Sequence, residues 1–275
     1  MKKTLFCIIS LSALVFSSCS NEFNHVYKTS DNAFKYEYAK ESFAKGKYVK
    51  ASTLLQDLVT YMKGTDNAQE SLYMLAMSEY CSKDYEGAAA TFKKYVTSYP
   101  KGVYAEEAEF YVGQSYYMST PEPRLDQSRT VTAIAAFQEY LDLYPNAVYK
   151  AQAQQRLFEL QDKLVQKEFY TAQLYYDMGQ YFGNCTYGGN NYEASIITAQ
   201  NALKSYPYTS LREKFALLIM RSKYELAQQS VDEKKLERFQ DAEDECYGFI
   251  NEFPDSKDKA MAEKFIAKCK EITKD

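Results

Sequence analysis

Apolar residues between positions 32 and 145 recur every three or four positions, and short polar turns interrupt this helical spacing at regular intervals. In residues 68–100 the spacing runs on both sides of a polar turn at 82–84, and Pro100 ends the second run. The pattern predicts two antiparallel helices joined by a tight turn. Aromatic-proline pairs end this helix and three later ones: Tyr99-Pro100, Tyr144-Pro145, Tyr206-Pro207 and Phe253-Pro254.

The helix pairs repeat at a fixed offset of 37 residues. In the first helix of each pair, a small residue recurs at this offset. In the second helix, a small residue and a large apolar residue four positions later both recur at it. The positions are Ala39, Ala76 and Gly113 in first helices, and Ala51 with Ala88 and Leu55 with Phe92 in second helices. Small residues let two helices approach closely where they cross. The pattern resembles the tetratricopeptide repeat (TPR) and predicts an array of such pairs.

The third pair carries an insertion, and a long helix follows it. The small residue of its second helix stands at Ala133, eight residues later than the repeat predicts, so residues 119–130 are predicted to form a surface loop. Residues 146–182 contain no proline and only one glycine, Gly179, which predicts a single long helix whose C-terminal half opens the fourth repeat. The remaining predicted elements are a loop at 183–191 and helices at 191–206, 210–229, 236–253 and 257–273. The predicted fold is all-α, a right-handed solenoid of about five TPR-like helix pairs with one long central helix and a C-terminal capping helix.

The N-terminus carries a targeting signal. Lys2 and Lys3 precede an apolar run at 5–16 that is too short to span a bilayer, and small residues precede Cys19. This order predicts a lipoprotein signal peptide at 1–18 with Cys19 as the acylated new N-terminus; an ordinary secretory signal is the alternative. The predicted remainder is a lipidated tether at 19–31, repeats 1–3 at 32–145, and the long helix, repeats 4–5 and capping helix at 146–275.

The sequence offers little for catalysis. The only histidine, His25, lies in the predicted tether, which excludes a Ser-His-Asp or Cys-His site from the folded body. The cysteines have no metal-binding spacing. Cys81 and Cys246 are predicted to be buried as small apolar residues, and a disulfide between cysteines is the alternative. Glu106-Glu107 and the acidic run at 243–245 are predicted to be solvated. Net charge is −4 with mixed signs, which argues against nucleic acid as a partner. We therefore expect no enzyme activity, no cofactor and no metal.

Tyrosines are the remaining candidates for a binding site. The chain has 27 tyrosines and no tryptophan. Four of them fall on first helices, which line the concave groove in repeats of this type: Tyr36, Tyr73, Tyr111 and Tyr117. Tyrosine offers a large rigid contact area and one hydroxyl, so these four are predicted to line a client groove. The alternative is that they fill gaps between helices.

The chain is similar to the BamD family, lipoproteins of the outer-membrane β-barrel assembly machinery. The similarity rests on the lipoprotein signal, the insertion motif Arg124-Leu125-Asp126, the junction Tyr144-Pro145-Asn146 and the uninterrupted long helix. It departs from the family at Ile196-Ile197-Thr198, where family members often carry a basic residue.

The resemblance implies a non-enzymatic scaffold that is lipid-anchored in the outer membrane and faces the periplasm. It implies that the C-terminal repeats hold a BamA-type barrel subunit and that the N-terminal repeats receive unfolded outer-membrane protein clients, with Arg124 and Asp126 as partner-contact candidates in the insertion. The alternative is a TPR adaptor lipoprotein of another envelope complex: a coordinator of cell-wall synthesis, a secretin pilotin, or a glycan-binding partner of a nutrient transporter.

Overall fold

The computed structural model describes residues 22–181 and 190–273, and all regular secondary structure within these ranges is helical. In chain order the helices are α1 (22–28), α2 (Asn32–Ala44), α3 (Tyr48–Tyr61), α4 (Ala68–Cys81), α5 (Tyr85–Ser98), α6 (Ala105–Met118), α7 (Ser128–Leu143), α8 (Lys150–Gly179), α9 (Asn191–Ser205), α10 (Arg212–Gln228), α11 (Asp232–Glu252) and α12 (Lys259–Thr273). The all-α, TPR-like fold is confirmed. The signal peptide with Cys19, and Phe182 with the predicted loop at 183–189, lie outside the described residues.

Helices that follow each other in the chain pack on each other from α2 to α7 and again from α9 to α12. Two compact units result. The described residues up to Thr120 and 128–157 form the first, and 121–127 with the residues from Phe158 onward form the second. The sequence predicts a boundary after residue 145 and an insertion that belongs to the first part. In the structure the division falls within α8 instead, and 121–127 belongs to the second unit.

The 37-residue repeat of the sequence is also the repeat of the packing. The small residues of the first three pairs are all buried: Ala39, Ala51, Ala76, Ala88, Gly113 and Ala133. Gly113 shows why the position stays small, because a Cβ added there would lie 2.8 Å from a ring atom of Phe137. Gly248, on α11, is the opposite case, since an added Cβ would meet no atom within 4 Å.

These two glycines should respond to alanine with opposite signs. Gly248→Ala is expected to raise the free energy of unfolding by about 1 kcal/mol, because alanine favours a helix interior over glycine by that amount. Gly113→Ala is expected to lower it, because crowding a packed core costs about 1–3 kcal/mol and exceeds the same helical gain. Urea denaturation of both variants tests this. An equal rise in both would show that the α6–α7 contact can relax around a methyl group.

Two tyrosine hydroxyls join successive repeats in the same way. The Tyr95 hydroxyl donates to the side-chain oxygen of Gln69 at 3.2 Å and accepts from the backbone N–H of Tyr104 at 3.3 Å. One repeat later, the Tyr140 hydroxyl accepts from the backbone N–H of Tyr149 at 3.2 Å. Each hydroxyl therefore satisfies a backbone donor at the start of the next pair, a group that burial would otherwise leave without a partner.

Tyr95→Phe is expected to lower the free energy of unfolding by about 1–2 kcal/mol, because the change leaves a partly buried N–H and a side-chain oxygen without their partner. Tyr61→Phe is the matched control, since Tyr61 is exposed. That control should shift stability by less than about 0.5 kcal/mol. Chemical denaturation measures both, and equal effects would contradict a structural role for the Tyr95 hydroxyl.

The stretch predicted to be a polar tether contains a helix. Residues 22–28 form α1, and Val26 is 1% exposed within the core of the first pair. Phe23 packs against the same cluster. The tether prediction missed this because a seven-residue helix with so few buried side chains leaves no periodic signal in the sequence.

In the second unit, the C-terminal half of α8 pairs with α9, as the sequence predicts. Ala172 and Tyr176 pack with Tyr192 of α9 and with Phe215 of α10. Gly179 permits the close approach, because an added Cβ would lie 2.6 Å from the Tyr192 ring.

Two of the three described cysteines are buried. Burial raises the pKa of Cys246 to about 12 and that of Cys269 to about 11, so both thiols stay protonated and act as small apolar residues. All three described cysteines are free. The prediction that Cys81 is buried is wrong: it is exposed, because it is the last residue of α4, just before the turn.

Candidate functional site

Aromatic side chains form a connected surface in the first unit. The Tyr73 ring stacks on the Tyr104 ring with centroids 4.2 Å apart. The Tyr111 ring stacks on buried Phe92 at 5.4 Å and meets the edge of Tyr80 at 5.0 Å. We define the aromatic surface as the half-buried residues Tyr73, Tyr80, Tyr104, Tyr111, Tyr117 and Tyr149.

Carboxylates tie this surface together. Glu107 on α6 accepts hydrogen bonds from the hydroxyl of Tyr149 at 3.2 Å and from the Tyr73 hydroxyl. Glu106 accepts from the backbone N–H of Val148 at 2.7 Å. The prediction that Glu106-Glu107 is merely solvated is therefore wrong, since both side chains link α6 to the turn that precedes α8.

The aromatic surface also carries one arginine, Arg156 on α8. Its guanidinium lies 4.4 Å from the ring centre of Tyr117, and a terminal nitrogen donates to the Tyr117 hydroxyl at 3.2 Å. The amide of Gln114 donates to the Tyr80 hydroxyl at 3.4 Å. The surface thus combines aromatic faces with carboxylate acceptors and a cation, and the buried side chain of Gln114 supports it from within the fold.

Burial raises the pKa of two phenols of the aromatic surface above the ordinary value of tyrosine. It raises the pKa of Tyr111 to about 12. It also raises the pKa of Tyr73, with help from the hydrogen bond to Glu107. At neutral pH both of these hydroxyls are protonated and can donate hydrogen bonds, and neither phenol is ionised to act as a base or nucleophile.

The four predicted groove tyrosines divide into two sets. Tyr73, Tyr111 and Tyr117 all belong to the aromatic surface. Tyr36 does not: its ring is buried in the core of the first pair, and its hydroxyl donates to Glu70 at 2.9 Å.

Sequence reasoning alone does not find Tyr104, Tyr149 and Arg156. Tyr104 and Tyr149 each stand four residues after the proline of an aromatic-proline pair. That shared position in the inter-repeat turn is the signal that could have identified them. Arg156 carries no comparable signal, because its partner Tyr117 lies in another helix.

The insertion is held against α8 in the second unit. The Arg124 guanidinium lies 4.6 Å from the Tyr170 ring centre, and Lys167 donates to the Arg124 carbonyl at 2.9 Å. Buried Gln127 braces the loop by donating to the carbonyls of Glu122 and Leu125. Arg124 borders an open pocket of about 280 Å³, lined also by Leu174 and Asp177. Asp126 is exposed in the same loop.

Within residues 22–181 and 190–273, no group of three or more His, Cys, Asp or Glu side chains is arranged to hold a metal ion. The same part of the chain has no helix both long enough and apolar enough to cross a bilayer.

These features define a helical-repeat protein of the TPR type with an aromatic, hydrogen-bonding surface on the first helices and inter-repeat turns of its first unit. The model of the YfiO family, described as outer membrane lipoproteins, matches residues 28–235. The match covers most of the chain, and the protein belongs to this family of outer membrane lipoproteins.

A curated relative from Aquifex aeolicus (strain VF5) is named as a putative outer membrane protein assembly factor, BamD. It is 34% identical over 146 residues, which are 52% of this chain and 48% of that protein. The chain therefore spans about half the length of the curated relative that it matches.

Proposed function

We propose that this protein is a non-enzymatic scaffold for the assembly of β-barrel proteins into the outer membrane. It is anchored by acyl chains on Cys19 and faces the periplasm. Its second unit holds a BamA-type barrel subunit, and its first unit receives unfolded outer-membrane protein clients. The observation that carries the client role is the aromatic surface, and the name of the Aquifex relative supports the process.

The chemistry of the aromatic surface suits an extended peptide. Tyrosine faces offer contact area for apolar and aromatic side chains, and the Tyr hydroxyls and the Glu107 carboxylate can pair with backbone groups. Arg156 can bind a terminal carboxylate through charge-assisted hydrogen bonds. A client segment that is unfolded, ends in an aromatic residue and carries a free C-terminus matches this combination.

A peptide-binding assay tests the client role. A fluorescent peptide with alternating apolar residues and a C-terminal phenylalanine is titrated with the purified protein, and its anisotropy is followed. We expect Arg156→Gln to weaken binding about tenfold, because a hydrogen bond to a charged group contributes about 1.5–3 kcal/mol. Arg129→Gln is the matched control, since Arg129 pairs with the exposed side chain of Glu86 in the first unit. Equal loss in both variants, or none, would contradict the proposed site.

Affinity purification tests the barrel partner. The tagged lipoprotein is extracted in mild detergent, and bound proteins are identified by mass spectrometry. We expect a stoichiometric β-barrel with repeated periplasmic domains. Recovery of a nutrient transporter, a secretin or cell-wall synthases without such a barrel would favour an adaptor role in another complex.

A point variant of the second unit refines this test. Ile197 on α9 is an exposed apolar residue in the return helix. We expect Ile197→Glu to reduce recovery of the barrel, because a charge replaces an apolar contact. Leu236→Glu is the control, since Leu236 on α11 is exposed to a similar degree. Unchanged recovery with Ile197→Glu would exclude this part of α9 from the interface.

A further inference from the structure

Helix α1 fixes where the chain leaves the first helix pair. Val26 is buried in the core of this pair, so α1 is packed on the body. At its start, the Phe23 ring lies 5.3 Å from the ammonium group of Lys50, in the first turn of α3. The pKa of Lys45 is raised mainly by its hydrogen bond to Glu41, and the charge of Glu22 contributes. The N-terminus of α1 therefore lies at the α2–α3 turn, where α2 ends and α3 begins.

The chain between this point and Cys19 is short. Three residue steps separate Cys19 from Glu22, and a fully extended chain covers about 3.3–3.6 Å per residue, so about 10 Å is the upper limit. The lipid headgroups must then lie close to the α2–α3 turn. This step rests on the proposed acylation of Cys19. Because Val26 locks α1 to the body, the turn cannot move far from the bilayer without loss of that packing.

The exposed side chains at the turn have the chemistry of a membrane-contacting surface. Lys45 and Lys47 are exposed, and Lys50 is partly exposed beside them. Val49 is 66% exposed, which leaves an apolar side chain among these lysines. Lysines attract anionic headgroups, and their apolar stems lie along the interface. Two acids, Glu22 and Glu41, are present at the same end, so the attraction is local rather than a large positive field.

We propose that the α2–α3 turn, formed by Lys45, Lys47, Val49 and Lys50, is a membrane-contacting surface that rests on the lipid headgroups next to the anchor. The occupant is the lipid surface because the anchored cysteine lies only three residues before the start of α1, which is packed at this turn. The first helix pair is then held at the bilayer in a fixed orientation, with the opposite end of α3 pointing away from it.

Single tryptophans test this directly, because the chain has none. Val49→Trp and Tyr61→Trp place the probe at the two ends of α3, at native positions that are 66% and 61% exposed. Twelve residues of helix separate the two probes by about 18 Å. The full lipidated protein is reconstituted into vesicles of phosphatidylethanolamine and phosphatidylglycerol that carry brominated acyl chains.

We expect the emission of the Val49→Trp protein to be strongly quenched and shifted to shorter wavelength, and the emission of the Tyr61→Trp protein to change little. Equal quenching in the two proteins, or stronger quenching in the Tyr61→Trp protein, would overturn the proposed orientation. Shielding of the Val49→Trp indole from aqueous iodide without quenching by brominated lipid would point to a protein occupant and would also overturn it.

A charge variant adds a second measurement. Lys45→Gln with Lys47→Gln in the Val49→Trp protein should reduce quenching in vesicles with phosphatidylglycerol, and Lys63→Gln should not. Mass spectrometry of the intact protein distinguishes a failure of the proposed lipid anchor from a failure of the proposed membrane contact. A protein without acyl mass would contradict both the proposed lipid anchor and this inference. An acylated protein with equal quenching at positions 49 and 61 would contradict this inference alone.

Discussion

Phe137→Ala is expected to lower the free energy of unfolding by about 3–5 kcal/mol, the range for removal of a fully buried phenylalanine ring. Phe137 belongs to α7 and is 0% exposed, and its ring packs against α6. Its ring fills the space above Gly113, at 2.8 Å from where a Cβ would stand. It also packs near Phe110, with ring centroids 5.9 Å apart. Neither the glycine nor the new alanine can fill the volume of the lost ring, so a cavity would remain.

The control for this variant is Phe158→Ala. Phe158 is 68% exposed, and its removal should change stability by less than about 0.5 kcal/mol. Urea denaturation followed by circular dichroism measures both variants. Because a repeat array can lose part of its structure first, a second probe of intrinsic tyrosine fluorescence checks that the transitions coincide. A loss below about 1 kcal/mol for Phe137→Ala would mean that α6 and α7 collapse onto the space.

Cys19→Ser is expected to move the protein from the detergent-rich phase to the aqueous phase in a Triton X-114 partition. Acyl chains contribute about 0.8 kcal/mol for each buried CH₂ group, and more than one chain is needed for stable anchoring. A serine at this position cannot carry the thioether-linked lipid. The fold should be unaffected, because the substituted position precedes α1 and the packing of the first pair.

Cys81→Ser is the matched control for the anchor. Cys81 is exposed at the end of α4, within the folded body. This variant should stay in the detergent-rich phase with the full acyl mass. Retention of the Cys19→Ser protein in that phase, with no acyl mass and with residues 1–18 removed, would contradict Cys19 as the anchor.

The repeat frame is predictable because it depends on local spacing. The side of each helix that faces the core carries small residues, such as Ala76 and Ala88, and a large one, such as Phe92. The spacing of these residues is visible in the sequence itself. The position of the insertion follows from the same frame, and the continuity of α8 follows from the absence of proline between residues 146 and 182. The predicted start of α11 at residue 236 is four residues later than its actual start at Asp232, because the first turn is polar and offers no periodic signal.

The candidate site is less predictable, because its contacts join residues far apart in the chain. Glu107 reaches Tyr149 across 42 residues, and Arg156 reaches Tyr117 across 39. Spacing alone places a tyrosine on a first helix and does not show whether its neighbour is solvent or another side chain. Tyr36 and Tyr73 therefore have the same prediction, yet one is buried in a core and the other lies on the aromatic surface.

The stepwise packing from α2 to α7 bears on how the protein matures after export. Each helix contacts the next one along the chain, so ordering a pair closes only a short loop and proceeds quickly. A chain that crosses a membrane from its N-terminus presents α1, α2 and α3 first. The first pair can therefore fold while later repeats are still in transit, and α1 can pack on it before the distal helices arrive.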